Sequence, residues 1–214
     1  MQPTFFSFAP MLSRGNNMVK WLFDRALSLL AIVVLLPVLL LVAAVILLAN
    51  GAPVLYIQER IGQNAKPYKL IKFRTMCGKE KSPIAASELN RITRVGRWLR
   101  RTKIDELPEL LNIFVGDMSF VGPRPDVAGY ADKLKGDDRR LLTMKPGLTG
   151  VASLKYRDEE DLLAVQPNPQ EFNDKVIWPD KVRLNLLYME RQSLWLDVKV
   201  LICTALGKTV KGFE

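Results

Sequence analysis

From Ala26 to Ala49 the chain reads ALSLLAIVVLLPVLLLVAAVILLA, an aliphatic run without a charge that only Ser28 and Pro37 interrupt. About 20 apolar residues cross a bilayer, so the run is of membrane length. The apolar core of a cleaved signal peptide is shorter, about 7–15 residues, which argues against that origin despite the small residues after Leu48. Pro37 stands near the midpoint, where it removes a backbone donor and crowds the carbonyl of Val33, so the helix bends there at little cost. Each half of the run makes roughly 15–18 Å of helix and reaches the middle of the bilayer. Two topologies stay open on this pattern: a helix that enters and turns back at Pro37, and a kinked helix that spans.

Beyond the run the pattern changes. Asn50-Gly51-Ala52-Pro53 is a breaker cluster, Val54–Ile57 reads as a short strand, Gly62-Gln63-Asn64 as a turn, and Tyr68–Arg74 alternates as a second strand. A small hairpin is expected. Ser87 is placed to cap a helix carrying Ile92, Val95, Trp98 and Leu99 on one side with five arginines, Arg91, Arg94, Arg97, Arg100 and Arg101, among them. Such a basic helix with a Trp either lies in the headgroup plane or packs its apolar side on the core. Asp180–Leu206 reads as one further helical stretch, strongly apolar from Ser193 and too short to span, hence core or interfacial with Lys199 snorkelling. The expected organisation is a tail over 1–18, a membrane segment over 19–50, and one domain over 51–214.

Composition sharpens this picture in two ways. The 214 residues carry 31 Lys+Arg against 22 Asp+Glu, a net charge of +9. From Gly51 to Leu110 there are 13 basic and 6 acidic residues, so about +7 of it directly follows the apolar run. Anionic partners are implied: phosphates, nucleic acid or an acidic membrane surface. Basic residues also flank the run on its other side, at Arg14, Lys20 and Arg25, which fits both ends on the cytoplasmic face. Histidine is absent, which excludes Ser-His and Cys-His relays and imidazole metal ligands. Cys77 and Cys203 are too few and too far apart for a zinc site or a disulfide framework. Any metal is then a hard cation on oxygen ligands, Mg²⁺ or Mn²⁺.

The densest chemistry lies in Lys103-Ile104-Asp105-Glu106-Leu107-Pro108-Glu109. Proline is tolerated only in the first turn of a helix, so a helix through Leu110, Leu111 and Phe114 is expected to start near Asp105. Two carboxylates at a helix N-terminus are, in the plainest reading, a cap and an acidic first turn. The same pair, in a chain without His and just after Arg100 and Arg101, can also work on phosphorus, one carboxylate attacking and the other holding Mg²⁺. Gly122-Pro123-Arg124-Pro125 fixes its backbone so that one guanidinium points reproducibly, which suits phosphate or base recognition. Gly207-Lys208-Thr209 lacks the glycine at position 202 that a P-loop requires, and no G-x-G-x-x-G or Asp-x-Asp occurs.

Taken together, several stretches resemble the bacterial sugar transferase family, the small monotopic phosphoglycosyl transferases that act on a polyprenyl phosphate. They are Lys20-Trp21-Leu22-Phe23-Asp24, Lys72-Phe73-Arg74-Thr75-Met76, Leu99-Arg100-Arg101-Thr102 with Ile104-Asp105-Glu106-Leu107-Pro108, Gly116 to Pro125, and Lys145-Pro146-Gly147-Leu148-Thr149-Gly150. The resemblance covers about Lys20 to Thr204. It implies a mostly α fold with a small β element, a re-entrant helix broken at Pro37, interfacial amphipathic helices, and a catalytic domain on the cytoplasmic face of the bacterial inner membrane. It implies that Asp105 is the nucleophile, that Glu106 binds Mg²⁺ (or Mn²⁺), and that Arg124 with Arg100 engages the phosphates of a UDP-sugar. Pro125 and Arg157 complete the expected substrate-binding set. Undecaprenyl phosphate and membrane lipid are the other implied partners; nucleic acid is not, and a homo-oligomer is compatible with the chain. The chain departs from the family pattern at Leu36, where many members have Ser, at Val151–Arg157, and at Asn185, where an Asp is common. Those departures bear on the sugar contacts. A hexosyltransferase releasing UDP and a membrane-tethered basic binding protein are the rival readings, and the second gives no reason for Asp105 and Glu106 beside a rigid Arg124.

Overall fold

The computed structural model describes residues 13–78 and 91–213. It is mostly helical, with two small two-stranded sheets. Helix α1 runs over Ser13–Asn50 and has Pro37 in its interior, so the helix begins inside the expected tail and continues past the expected break. Strands β1 (Leu55–Ile61) and β2 (Pro67–Phe73) form the expected hairpin, antiparallel from Leu55 opposite Phe73 to Ile61 opposite Pro67. Because side chains alternate across a strand, Gln58 and Arg60 share one face with Tyr68, Leu70 and Lys72. All five are at least partly buried, whereas Ile57, Glu59 and Lys69 on the other face are exposed.

Helix α2 (Arg94–Thr102) takes Thr93 as its cap, whose Oγ1 accepts from the Gly96 N–H at 2.8 Å. The expected cap, Ser87, lies outside the described residues. Lys103 ends α2 in the left-handed region (φ 57°) and turns the chain into a 3-10 turn, Ile104–Glu106. Helix α3 then begins at Glu109, not near Asp105. Pro108 has no N–H to give the Ile104 carbonyl, which instead accepts from Leu107 at 3.1 Å. The expected single helix over Asp180–Leu206 is also two, α7 (Trp178–Arg191) and α8 (Leu194–Leu206). Ser193 breaks it by capping α8, its hydroxyl accepting from Leu196 N at 3.2 Å.

Between these lie α3 (Glu109–Val115), β3 (Ser119–Val121), β4 (Gly147–Thr149), α4 (Val151–Lys155), α5 (Glu159–Ala164) and α6 (Pro169–Phe172). Strands β3 and β4 are parallel and join the two proline-rich motifs. A methyl group on Gly147 would lie 2.1 Å from the backbone N of Gly122, so no larger residue fits where these chains pass. The main core gathers Leu110 and Ile113 of α3, Phe120 and Val121 of β3, Leu184 and Tyr188 of α7, and Val200 of α8.

Helix α1 is fastened to this body at both ends. Near its start Lys20 Nζ sits 2.5 Å from Asp197 Oδ2 of α8, Asp24 Oδ1 accepts from the Phe120 N–H at 3.3 Å, and Leu27, Ile32 and Leu35 pack on the main core. Near its end Val42 and Ile46 bury against Phe73 and Leu99, and Asn50 Nδ2 donates to Thr93 Oγ1 at 3.2 Å. Between these attachments Leu29, Leu30, Val33, Val34, Leu40 and Leu41 are exposed.

Asp197 is 1% exposed and also accepts from the Tyr188 hydroxyl. Removing one partner of a buried ion pair leaves the other charge uncompensated. Asp197→Ala should therefore cost about 3 kcal/mol in thermal unfolding of the detergent-solubilised protein. The double variant Lys20→Met/Asp197→Leu should recover most of it, since Tyr188 retains the Val121 carbonyl as acceptor at 3.4 Å.

Candidate active site

The carboxylates are placed by the turn that Lys103 and Pro108 enforce. Asp105 is buried, 8% exposed, and its Oδ1 has no hydrogen-bond partner among the described residues. Glu106 Oε1 meets two cations, Arg124 NH2 at 2.8 Å and Lys72 Nζ at 3.1 Å. The same ammonium lies 3.0 Å from Glu109 Oε1, so Lys72 bridges two acidic side chains of the Asp-Glu-Leu-Pro-Glu segment. Asn112 sets that spacing. Its carboxamide accepts from Ile71 N at 3.1 Å and donates to Lys69 O at 2.7 Å, which pins α3 to β2 on either side of Leu70.

Arg124 reaches Glu106 because its loop cannot drift. Gly122 N donates to Thr149 O at 2.9 Å, Gly147 N donates to Pro123 O at 2.7 Å, and Ile61 N donates to Asp126 O at 3.0 Å. The motif loop is thus held by β4 on one side and by the hairpin on the other. Between them opens a small cavity lined by Arg60, Leu70, Lys72, Glu109, Arg124, Pro125, Gly147 and Leu148.

Burial and charge divide the acids. Burial, with repulsion from Glu106, raises Asp105 above the ordinary carboxyl range. Glu106 is opposed by burial too, but Arg124, Lys72 and Lys103 overcome it and hold the group down at about 2. Burial, against the pull of Lys72 and with repulsion from Glu106, pushes Glu109 up to about 7. Glu106 attraction holds the Arg124 guanidinium firmly protonated. One permanently ionised carboxylate therefore stands beside a desolvated one whose free oxygen makes no internal hydrogen bond. Dehydration leaves such an oxygen reactive towards an electrophile brought to it.

Of the residues expected at the site, Asp105, Glu106, Arg124 and Pro125 come together. Arg100 is near enough for its charge to oppose the upward shift of Asp105, but its own bonds go to Thr75 Oγ1 at 3.0 Å and Met76 Sδ at 3.3 Å. Arg157 donates to Thr204 O at 3.1 Å near the end of α8 and is not among the residues lining that cavity. Pro37 is in the interior of α1. Lys72, Glu109 and Asn112 are components the sequence reading did not assign. Lys72 opens the Lys72-Phe73-Arg74-Thr75-Met76 stretch, yet only hairpin register turns it towards the acids.

Among the described residues no group of three His, Cys, Asp or Glu side chains is arranged to hold a metal. Mg²⁺ does not demand one, since it commonly takes one or two carboxylates and completes its shell with water and substrate phosphates. Glu106, with the orphaned Asp105 oxygen beside it, fits that requirement.

A family model described as bacterial sugar transferase matches residues 15–211. The UDP-glucose:undecaprenyl-phosphate glucose-1-phosphate transferase of Klebsiella pneumoniae is 35% identical over 207 residues, which cover 93% of this chain and 41% of that protein. The undecaprenyl-phosphate galactose phosphotransferase of Salmonella typhimurium is 29% identical over 213 residues, covering 91% and 41%. The exopolysaccharide production protein PSS of Rhizobium leguminosarum bv. phaseoli is 34% identical over 206 residues, covering 91% of this chain and 96% of its own length. The chain thus spans about two fifths of the first two proteins and nearly all of the third.

Lys72→Met should destabilise the protein by about 3 kcal/mol at pH 8, because it strands two buried carboxyls on one side of Arg124. Protonation relieves that conflict, so the loss should shrink at pH 5. Glu109→Gln tests the sign from the other direction. The folded chain keeps the Glu109 proton up to about 7, against 4.5 when free, so this group's contribution to stability falls as pH rises through that window. Thermal unfolding of wild type relative to Glu109→Gln should show that slope.

Proposed function

The chain belongs to the bacterial sugar transferase family, and from that premise we propose that it moves a sugar-1-phosphate from a UDP-sugar to undecaprenyl phosphate, releasing UMP. The product would initiate assembly of an exopolysaccharide, O-antigen, capsule or glycoprotein glycan. The observation that carries the mechanism is the buried, unpartnered oxygen of Asp105 beside a Glu106 held ionised by Arg124 and Lys72.

In this reading an Asp105 oxygen attacks the β-phosphorus of the donor. The bond from that phosphorus to the bridging oxygen breaks, and the pair leaves with UMP. An oxygen of the lipid phosphate then attacks the same phosphorus and expels the Asp105 carboxylate, so both charges balance at each step. Glu106 would hold Mg²⁺ (or Mn²⁺), which when bound neutralises charge on the diphosphate. Arg124 serves as the guanidinium for the transferred phosphoryl group. Dividing the transfer in two lets a soluble nucleotide and a membrane lipid use one carboxylate in turn.

The membrane arrangement is proposed on the same footing. A straight spanning helix carries its two ends to opposite faces, whereas α1 is bonded at Lys20 and at Asn50 to one body. Some 30 residues separate these points, roughly 45 Å of helix. This supports a re-entrant or shallowly inserted α1 with the catalytic domain on the cytoplasmic face of the inner membrane. Exposed Trp98 on α2, Phe114 and Val115 on α3, and Trp195, Ile202 and Leu206 on α8 support contact with the interface as well.

Asp105→Asn should abolish turnover while leaving the fold intact, since an amide is a poor nucleophile. Wild type given labelled UDP-sugar without lipid should release stoichiometric UMP and carry the phosphosugar on Asp105, as read by mass spectrometry. Activity should vanish in EDTA and return with Mg²⁺. An active, folded Asp105→Asn protein, or UMP release only when lipid is added, would sink the two-step scheme.

For topology, single cysteines placed before Lys20 and after Arg60 in a cysteine-free background should both resist a membrane-impermeant thiol reagent in intact cells. Labelling of the N-terminal cysteine alone would overturn the re-entrant arrangement.

A further inference from the structure

The inner face of the hairpin carries a guanidinium, Arg60, whose direct partners among the described residues are all neutral. Arg60 is partly buried, and among the described residues no carboxylate lies within ion-pair distance of it. Its partners are neutral: Gln58 Oε1 accepts from Nε at 3.1 Å and from NH2 at 2.6 Å, and Pro125 O accepts from NH1 at 3.3 Å. These bonds fix the planar fork without neutralising it. A desolvated cation held this way is costly unless an anion arrives to pair with it. Burial and the Arg124 charge lower its proton affinity by more than the Asp126 carboxyl, which lies beyond ion-pair distance, raises it.

Arg60, Lys72 and Arg124 line the same cavity. Lys72 is shared between Glu106 and Glu109, and Arg124 is paired with Glu106. That leaves Arg60 as the cation of this wall without an acidic partner in direct contact among the described residues; the Asp126 carboxyl acts on it only from a greater distance. Tyr68, its opposite number across the hairpin, has a buried hydroxyl with no hydrogen-bond partner among the described residues. A guanidinium in contact only with neutral acceptors and a hydroxyl without a partner among the described residues, on neighbouring strands, form a donor set suited to phosphate oxygens.

We propose that Arg60, oriented by Gln58 and the Pro125 carbonyl, is a phosphate-binding residue of this site, engaging a phosphate that Arg124 and Lys72 do not neutralise. This rests on the phosphoglycosyl transferase reading. Phosphate can come from the nucleotide or from the lipid, and the test separates them.

The decisive variant is Gln58→Glu. It puts a carboxylate where the carboxamide already bonds Arg60, giving the guanidinium an internal partner that competes with a ligand phosphate. If Arg60 only braces the hairpin, the new ion pair should hold or raise thermal stability and leave ligand affinity unchanged. If Arg60 binds phosphate, stability should again hold or rise while affinity falls by about tenfold or more, the loss expected when a charged hydrogen bond is removed. Arg60→Gln should lose about tenfold to a hundredfold, and Arg60→Lys, which keeps the charge but not the fork, should fall between. The readouts are Kd for UDP with Mg²⁺ by calorimetry and Kd for undecaprenyl phosphate in nanodiscs, on the full chain. Weakened UDP binding assigns the nucleotide phosphates, and weakened lipid binding alone assigns the acceptor phosphate. Unchanged affinity for both in Gln58→Glu and Arg60→Gln would overturn the proposal while leaving the function standing. Failure of wild type to bind either would remove the function and the proposal together.

Discussion

Lys72 between Glu106 and Glu109 is the contact on which the rest of the site depends. Three acidic side chains within five residues repel one another, and burial penalises each charge further. The Lys72 ammonium is shared almost equally by the two glutamates, and Arg124 settles the conflict in favour of Glu106. Asp105 is left dehydrated and unpaired, and Glu109 holds its proton more tightly than a free carboxyl. The differences among these groups come from how many cations each meets rather than from side-chain type, since Glu106 and Glu109 are chemically the same, share Lys72, and differ in that Glu106 also meets Arg124.

That contact needs β2 and α3 held at a fixed spacing, and much of the fold serves this end. Asn112 bonds to the backbone on both sides of Leu70, and Ile113 and Leu110 anchor α3 in the main core. The close pass of Gly122 against Gly147 fixes the loop that carries Arg124, and the Asp126 carbonyl ties that loop to β1. The hairpin, which by its size resembles an appendage, is thus the cationic wall of the site. Acid and base come from separate elements, and each is placed by backbone bonds rather than by its own side chain.

Helix α1 ties this site to an apolar segment long enough to cross a membrane. Its apolar side chains are exposed along the middle, while its two ends are bonded to the same body that carries Asp105. An anchor fixed at both ends holds the domain at a constant depth and tilt, which a single flexible tether would not. In the proposed reaction, where the acceptor is a lipid phosphate, such an arrangement would bring the carboxylate to the phosphate without a separate search.

Local sequence was sufficient wherever local physics decides. The uncharged run Ala26–Ala49, the hairpin alternation, the absence of His, and the adjacent Asp105 and Glu106 after a basic stretch were all legible, because apolar length, strand period and donor chemistry are properties of neighbouring residues. Boundaries were less so: Ser193 and Pro108 broke helices that hydrophobic pattern alone would extend, since a cap and a missing N–H outweigh periodicity over one turn. The roles of Lys72, Glu109, Arg60 and Asn112 depended on tertiary structure, because an ammonium's partner is chosen by strand register and helix placement across more than 30 residues of chain. Sequence determined that this protein carries a carboxylate pair, an excess of cations and a membrane-length helix; folding alone decided which carboxylate is neutralised and which is left free, because that choice is made by distances through space.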